Sequence, residues 1–161
     1  MKDFTQKLNK VHIAISAIFL AIFLITILIQ VITRLLGIAI LWTQDVSIYS
    51  FIISVFLGAS AMVYPEKHFA FVSLVANIQN EKHKKFIHIC INFFMLILML
   101  LMLYYGIIVT KKFWNYTWIN VPQFKRGYTW LSLPISGALG SYYLIVKIYF
   151  DIHDLVKGET R

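Results

Sequence analysis

Four long apolar stretches constrain this chain more than any other feature of its sequence. They cover residues 11–32, 46–64, 86–110 and 130–150. An apolar helix of about 20 residues is long enough to cross the hydrocarbon core of a bilayer. Helices pair their backbone polar groups internally, as a lipid environment requires. We therefore predict an all-α membrane protein with four transmembrane helices, which form a single domain over residues 1–161.

The composition supports a membrane protein and argues against nucleic-acid binding. The chain is 60% hydrophobic, above the roughly 45–50% that is usual in soluble domains. Its net charge of +8 comes from basic residues in short segments between the apolar stretches, where such residues set topology and contact anionic lipid headgroups. Cys90 is the only cysteine, which excludes an intrachain disulfide.

The distribution of basic residues predicts the topology. With the N-terminus in the cytoplasm, ten of the 15 lysines and arginines lie inside and five lie outside. The positive-inside rule then favours two cytoplasmic termini. The five outside residues are Arg34, Lys111, Lys112, Lys125 and Arg126.

The loop after the second stretch carries a helical pattern. Ala70, Ser73, Asn77, Asn80 and Lys84 recur at spacings of three and four, with apolar residues between them. This pattern predicts an amphipathic helix that lies along the cytoplasmic interface. The alternative is a loop whose periodicity arises by chance.

The loop after the third stretch is aromatic and basic. Aromatic side chains favour the headgroup level of a membrane, and we expect an outer belt formed by Trp114, Tyr116, Trp118, Tyr128 and Trp130. From composition alone, membrane anchoring is the favoured interpretation. The alternative is that the loop also contacts a soluble partner.

Small residues recur four apart in the second and fourth stretches. The pairs are Ser54 with Gly58 and Ser136 with Gly140, and Gly137 lies beside the second pair. Small residues at this spacing let helix backbones approach closely in lipid. They predict helix packing, either inside this chain or against a partner.

Groups that could carry chemistry are scarce. No acidic residue lies in the middle of an apolar stretch, whereas ion-coupled transporters carry polar sites at that depth. We therefore expect an accessory subunit without enzymatic activity, catalytic residues, metal or cofactor. One alternative stays open, because His12 and His88 lie near the cytoplasmic ends of two helices and could hold a haem in the membrane anchor of a redox enzyme.

The connection between the first two stretches places charges beside lipid. Trp42 suits the headgroup level, Thr43 can cap the second helix, and Asp45 then meets the positive end of that helix. Arg34 ends the first helix, and "LLGIAIL" should lie in the interface or against another helix. Arg34 and Asp45 then form either a salt bridge or two independent interfacial charges.

These residues resemble the small membrane subunit of TRAP transporters. That family typically has a Q-V-x-x-R segment, a W-T-E-E segment, an F-L-G-A segment and then a histidine. The corresponding elements here are "QVITR" from Gln30, "WTQD" from Trp42, "FLGAS" from Phe56, and His68. "WLSLPISGAL" resembles the fourth helix of the family. Gln44 and Asp45 replace its usual paired glutamates.

The resemblance implies a scaffold in the bacterial inner membrane. A large multi-span subunit would use a sodium gradient to take up a carboxylate, such as sialic acid or a C4-dicarboxylate, from a periplasmic binding protein. The small subunit would hold neither the substrate nor the sodium site. The expected interface and bracing residues are Arg34, Trp42, Gln44, Asp45 and His68, and the expected contacts with the periplasmic partner are Lys111, Lys112, Lys125 and Arg126.

Overall fold

The chain is almost entirely helical in the computed structural model, which describes residues 2–65 and 81–157. The helices are α1 (Lys2–Leu35), α2 (Trp42–Ala61), α3 (Glu81–Phe113), α4 (Arg126–Trp130) and α5 (Ser132–Lys157). Four segments are long and apolar enough to cross a membrane: Asp3–Leu35, Trp42–Ala61, Ile89–Phe113 and Arg126–Phe150. The prediction of an all-α protein with four membrane-spanning helices is confirmed.

The first helix is longer than its apolar stretch. It begins at Lys2 rather than at residue 11, because the polar N-terminal segment continues the same helix. Asp3 lies in the first turn, where a carboxylate stabilises the positive end of the helix dipole. Thr5 and Asn9 face the protein interior and are buried. The change from polar to apolar sequence at residue 11 therefore does not coincide with the start of this helix.

The other spans also differ from the bounds that hydropathy predicted. α2 covers Trp42–Ala61 rather than 46–64, and α3 covers Glu81–Phe113 rather than 86–110. The fourth span consists of α4 and α5, which continue well beyond residues 130–150. The predicted interfacial helix and His68 fall largely or wholly in residues 66–80, outside the described residues.

The expected capping role of Thr43 is wrong. Leu41 occupies the N-cap position of α2, without a side-chain capping bond. The Thr43 hydroxyl donates a hydrogen bond to the Ile40 carbonyl at 2.7 Å, whereas a capping side chain accepts a bond from a backbone N–H. Asp45 does lie in the first turn of α2, as expected.

Gly37 ends α1 and starts the elbow that leads to α2. Its φ of 75° lies in the left-handed region that favours glycine. The Gly37 N–H donates to the Arg34 carbonyl at 3.1 Å, and the Ile38 N–H donates to the Thr33 carbonyl at 2.9 Å. This pair of bonds is a Schellman motif, which satisfies two carbonyls at the end of the helix.

The described long helices pack as a row in the order α1, α2, α5, α3, and the first turns of α1 also contact α5 through the Thr5–Tyr142 hydrogen bond. The most apolar windows of α1 and α3 are 11% buried, against 39% for α2 and for the α4–α5 span. This difference identifies α1 and α3 as the outer members of the row. The α1–α2 elbow and the loop between α3 and α4 meet at one end, which we call the elbow end.

Polar residues on α1 face the protein interior, while its aliphatic residues face outward. Thr5, Asn9, His12, Ser16 and Thr26 are all buried, and their spacing places them along one side of the helix. Interhelical packing in lipid favours small and polar side chains, because lipid solvates aliphatic side chains as well as a protein core does. The interior of this row is therefore more polar than its surface.

The small residues of the fourth span pack inside the chain, against α3. A Cβ added at Gly137 would lie 2.6 Å from the Leu103 backbone nitrogen, and one added at Gly140 would lie 2.7 Å from the Met99 sulfur. Ser136 is fully buried. In α2, Ser54 is buried and Gly58 faces Ser16 of α1. These residues hold neighbouring helices of the row together.

Candidate partner interface at the elbow end

Asp45 is a buried acid near the start of α2. Its side chain is 5% exposed. One carboxylate oxygen accepts a hydrogen bond from the Asn120 backbone N–H at 2.6 Å, and the other accepts one from the Asn120 side-chain amide at 3.2 Å. A buried carboxylate is stable only when such bonds replace its hydration. Asp45 therefore attaches the loop between α3 and α4 to α2.

Aromatic stacking forms a second attachment between the same loop and α2. The rings of Tyr49 and Trp118 stack with centroids 4.5 Å apart, and Trp118 stacks on Phe124 at 5.1 Å. The loop turns back on itself, since the backbone N–H of Trp118 donates to the Phe124 carbonyl at 2.9 Å. Trp118 is thus partly buried against the protein, whereas Tyr116 and Tyr128 remain exposed as a surface belt requires.

Arg34 and Asp45 have separate environments. Arg34 is exposed at the end of α1, where it lines a cavity of about 130 Å³ together with Gln30, Thr33 and Gln44. Asp45 faces the loop and binds Asn120. Within the described residues no ion pair joins the two charges, so the salt-bridge hypothesis is wrong. The carboxylate obtains its hydrogen bonds from Asn120, and the guanidinium faces outward.

The other predicted interface residues at the elbow are exposed. Trp42 and Gln44 lie in the first turn of α2 with exposed side chains. The connection itself exposes large aliphatic side chains, with Leu35 at 83% and Leu36 at 69%. We define the elbow surface by Arg34, Leu35, Leu36, Ile38, Trp42 and Gln44.

The four basic residues expected to meet a periplasmic partner do not form one group. Lys111 and Lys112 are exposed in the last turn of α3, and Lys125 is exposed just before α4. Arg126 is only partly exposed, and its Nε is buried. Its backbone N–H donates to the Tyr116 carbonyl at 2.7 Å. Arg126 therefore belongs to the loop structure, while the three lysines are exposed.

A buried polar junction around His12 joins α1, α2 and α5 at a distance from the elbow end. The His12 Nε2 lies 3.4 Å from the Ser60 hydroxyl, and the imidazole centroid lies 6.1 Å from that of the Tyr143 ring. The Thr5 hydroxyl makes a 3.2 Å hydrogen bond with the Tyr142 hydroxyl. Sequence reasoning missed this junction, although the spacing of Thr5, Asn9, His12 and Ser16 carries the signal.

His12 is surrounded by protein side chains rather than by a second histidine in the part of the chain that the structure describes. The side chain of His88 is outside that part. The described residues also contain no group of three or more histidine, cysteine, aspartate or glutamate side chains that could hold a metal ion. The His12 Nε2 faces the Ser60 hydroxyl, and its Nδ1 is buried without a hydrogen-bond partner among the described residues.

Comparison with protein-family models gives the family. Residues 22–153 match the model described as tripartite ATP-independent periplasmic transporters, DctQ component. The match includes the elbow, Asp45, the α3–α4 loop and most of α5. A search of curated proteins finds no match. Because the matched region covers most of the chain, the protein belongs to the DctQ family, the small membrane component of TRAP transporters.

Proposed function

We propose that the chain is the small permease subunit of a tripartite secondary transporter and that it acts as a scaffold for the large membrane subunit. The observation that carries this proposal is the row of helices with largely exposed outer members, α1 and α3, in a chain of the DctQ family. Within residues 2–65 and 81–157, the outer helices of this row leave most of their apolar side chains exposed. A larger membrane protein can therefore pack along it without disturbing its internal contacts.

The elbow surface is the best candidate for contact with the large subunit. It combines exposed Arg34 and Gln44 with the exposed ring of Trp42, and arginine and tryptophan are the residues most enriched at interface hot spots. Asp45 acts indirectly, because it holds the neighbouring loop against α2 through Asn120. We assign His68 to the same partner on the basis of the family pattern.

The lysines near the α3–α4 loop are proposed to face the periplasm and to contact the binding protein. Lys111, Lys112 and Lys125 are exposed beside aromatic side chains of that loop. The charge distribution of the sequence favours cytoplasmic termini, which would place the elbow end in the periplasm. A basic surface there would attract an acidic patch on a soluble partner.

We assign the substrate and sodium sites to the large subunit. Asp45, the buried acid described within the spans, lies in the first turn of α2 and is bound to Asn120. Transport sites instead lie near the bilayer midplane, between broken helices. The transported compound is proposed to be a carboxylate, such as sialic acid or a C4-dicarboxylate, and its uptake to be driven by sodium across the bacterial inner membrane.

Purification and uptake test this proposal together. An affinity-tagged chain, expressed from its own locus, should co-purify with a large multi-span membrane protein. Deletion of the chain should abolish uptake of the carboxylate, and re-expression should restore it. Normal uptake in the deletion strain would overturn the scaffold role. A Soret band in the purified protein would support the haem-anchor alternative instead.

A further inference from the structure

A crevice at the end of α3 has a lining that changes from apolar to basic. Its volume is about 420 Å³, and α3, the segment after it and the α4–α5 span form its walls. The lining residues are Ile107, Thr110, Lys111, Trp114, Asn115, Leu131 and Pro134. Leu131 and Pro134 belong to the "WLSLPISGAL" segment, and Lys111 is also among the residues proposed to meet the binding protein.

The polar and apolar groups of the crevice are ordered along the axis of α3. Ile107 and Lys111 are four residues apart in α3, about 6 Å along its axis, and Asn115 lies in the turn that follows the helix. The membrane-spanning segment of α3 ends at Phe113. Ile107 therefore lies at the depth of acyl chains, and Lys111 and Asn115 lie at the depth of lipid headgroups.

Contacts within the protein hold two lining residues of the crevice, Trp114 and Thr110, in place. Gly127 packs so closely on Trp114 that an added Cβ would lie 2.7 Å from the indole ring. Trp114 also makes an edge contact with Tyr128, with ring centroids 5.8 Å apart. The Thr110 hydroxyl is already bonded to the Trp130 carbonyl at 2.9 Å. The side-chain donors left to meet a ligand are the Lys111 ammonium, the Asn115 amide and the Trp114 indole N–H.

The size of the crevice selects among membrane components. One turn of a transmembrane helix, about 10–12 Å wide with its side chains and 5.4 Å long, already occupies the whole volume of about 420 Å³. A single acyl chain is narrow enough to enter it. Lys111 in the lining then favours an acyl chain that carries a negatively charged group.

We propose that this crevice binds one phospholipid molecule. The acyl chain lies against Ile107, Leu131 and Pro134, and the phosphate receives the Lys111 ammonium. The Asn115 amide donates a hydrogen bond to a phosphate or ester oxygen, and Trp114 packs against the glycerol region. The site is separate from the elbow surface and does not depend on the scaffold role, and it shares only Lys111 with the surface proposed to contact the binding protein.

Native mass spectrometry of the full-length chain tests the site. The protein is delipidated in detergent and then titrated with phosphatidylglycerol. We expect one phospholipid to remain bound at low lipid concentration. The Lys111→Gln variant should bind about fivefold more weakly, since one lysine near a lipid phosphate contributes on the order of 1 kcal/mol. Diacylglycerol, which lacks the phosphate, should show no such dependence on Lys111.

Neighbouring residues supply matched controls. Lys112 and Ile108 lie next to lining residues but are not part of the crevice. Lys112→Gln and Ile108→Trp should therefore bind like the wild type, while Ile107→Trp should fill the crevice and lose the lipid. Equal binding by the Lys111→Gln and Lys112→Gln variants would overturn the proposal, as would displacement of the adduct by inorganic phosphate.

Discussion

The carboxylate of Asp45 binds both the backbone N–H and the side-chain amide of Asn120, 75 positions further along the chain. This contact joins the start of α2 to the loop that follows α3. At the elbow end it therefore connects α2 to the segment after α3, although α5 lies between α2 and α3 in the row.

Replacing Asp45 with alanine should destabilise the protein. Hydrogen bonds to a charged group contribute about 1.5–3 kcal/mol each when they are buried, and the Asn120 N–H would lose its acceptor. The expected result is a clearly lower melting temperature in detergent. Asn120→Ala should have a smaller effect, because it keeps the backbone bond of 2.6 Å. Gln6→Ala removes an exposed polar side chain far from this loop and serves as the control. A melting temperature equal to that of the control would contradict the attachment role.

A side chain at Gly137 should force α3 and α5 apart. The Cβ of Gly137→Ala would lie 2.6 Å from the Leu103 backbone nitrogen, so the helix backbones must move. Overpacking of this kind costs about 1–3 kcal/mol. Ala138→Val, at the adjacent exposed position, should leave stability unchanged. Thermal unfolding of the two variants side by side measures the difference, and similar melting temperatures would show that the helices are not closely packed there.

Two adjacent tyrosines should respond differently to loss of their hydroxyl groups. Tyr142→Phe removes the 3.2 Å hydrogen bond to Thr5, and such bonds contribute about 0.6 kcal/mol on average inside membrane proteins. The Tyr143 hydroxyl is buried without a hydrogen-bond partner among the described residues. Tyr143→Phe should therefore be neutral or stabilising, because removing an unsatisfied polar group relieves its desolvation penalty. Chemical denaturation of both variants gives the comparison, and a larger loss for Tyr143→Phe would refute it.

Arg34→Ala should weaken assembly while leaving the subunit itself folded. Arg34 is exposed and makes no ion pair with Asp45 in the described structure, so its removal leaves no buried charge behind. If the elbow surface binds the large subunit, recovery of that subunit in pull-down experiments should fall severalfold. Lys10→Ala removes an exposed cation from the other end of α1 and is the control. Unchanged recovery with Arg34→Ala would exclude Arg34 from the interface.

Several features of this protein follow from local sequence. The four apolar stretches predicted the four spans, because any long apolar segment in lipid must satisfy its own backbone. Gly37 explains the end of α1, since it adopts the left-handed conformation that a Schellman motif requires. The residues around the elbow also gave the family resemblance that the family model confirms.

Other features depended on tertiary structure. The sequence marked Asp45 as a first-turn acid but did not identify Asn120 as its partner, because that contact is between distant segments. Small residues marked α5 as a packing helix, yet only the structure showed that they face α3. Thr5 and Asn9 are buried polar residues within α1, although hydropathy predicted that the first span begins after them.

The sequence by itself determined the number of spans, the elbow and the family, and tertiary structure decided the lateral order of the helices and the partners of the polar groups. The physical reason is that lipid solvates every apolar helix face about equally well. Hydrophobicity can therefore place helices in the membrane without selecting their neighbours. That selection came from close glycine contacts such as Gly137 with Leu103 and from hydrogen bonds such as Asp45 with Asn120.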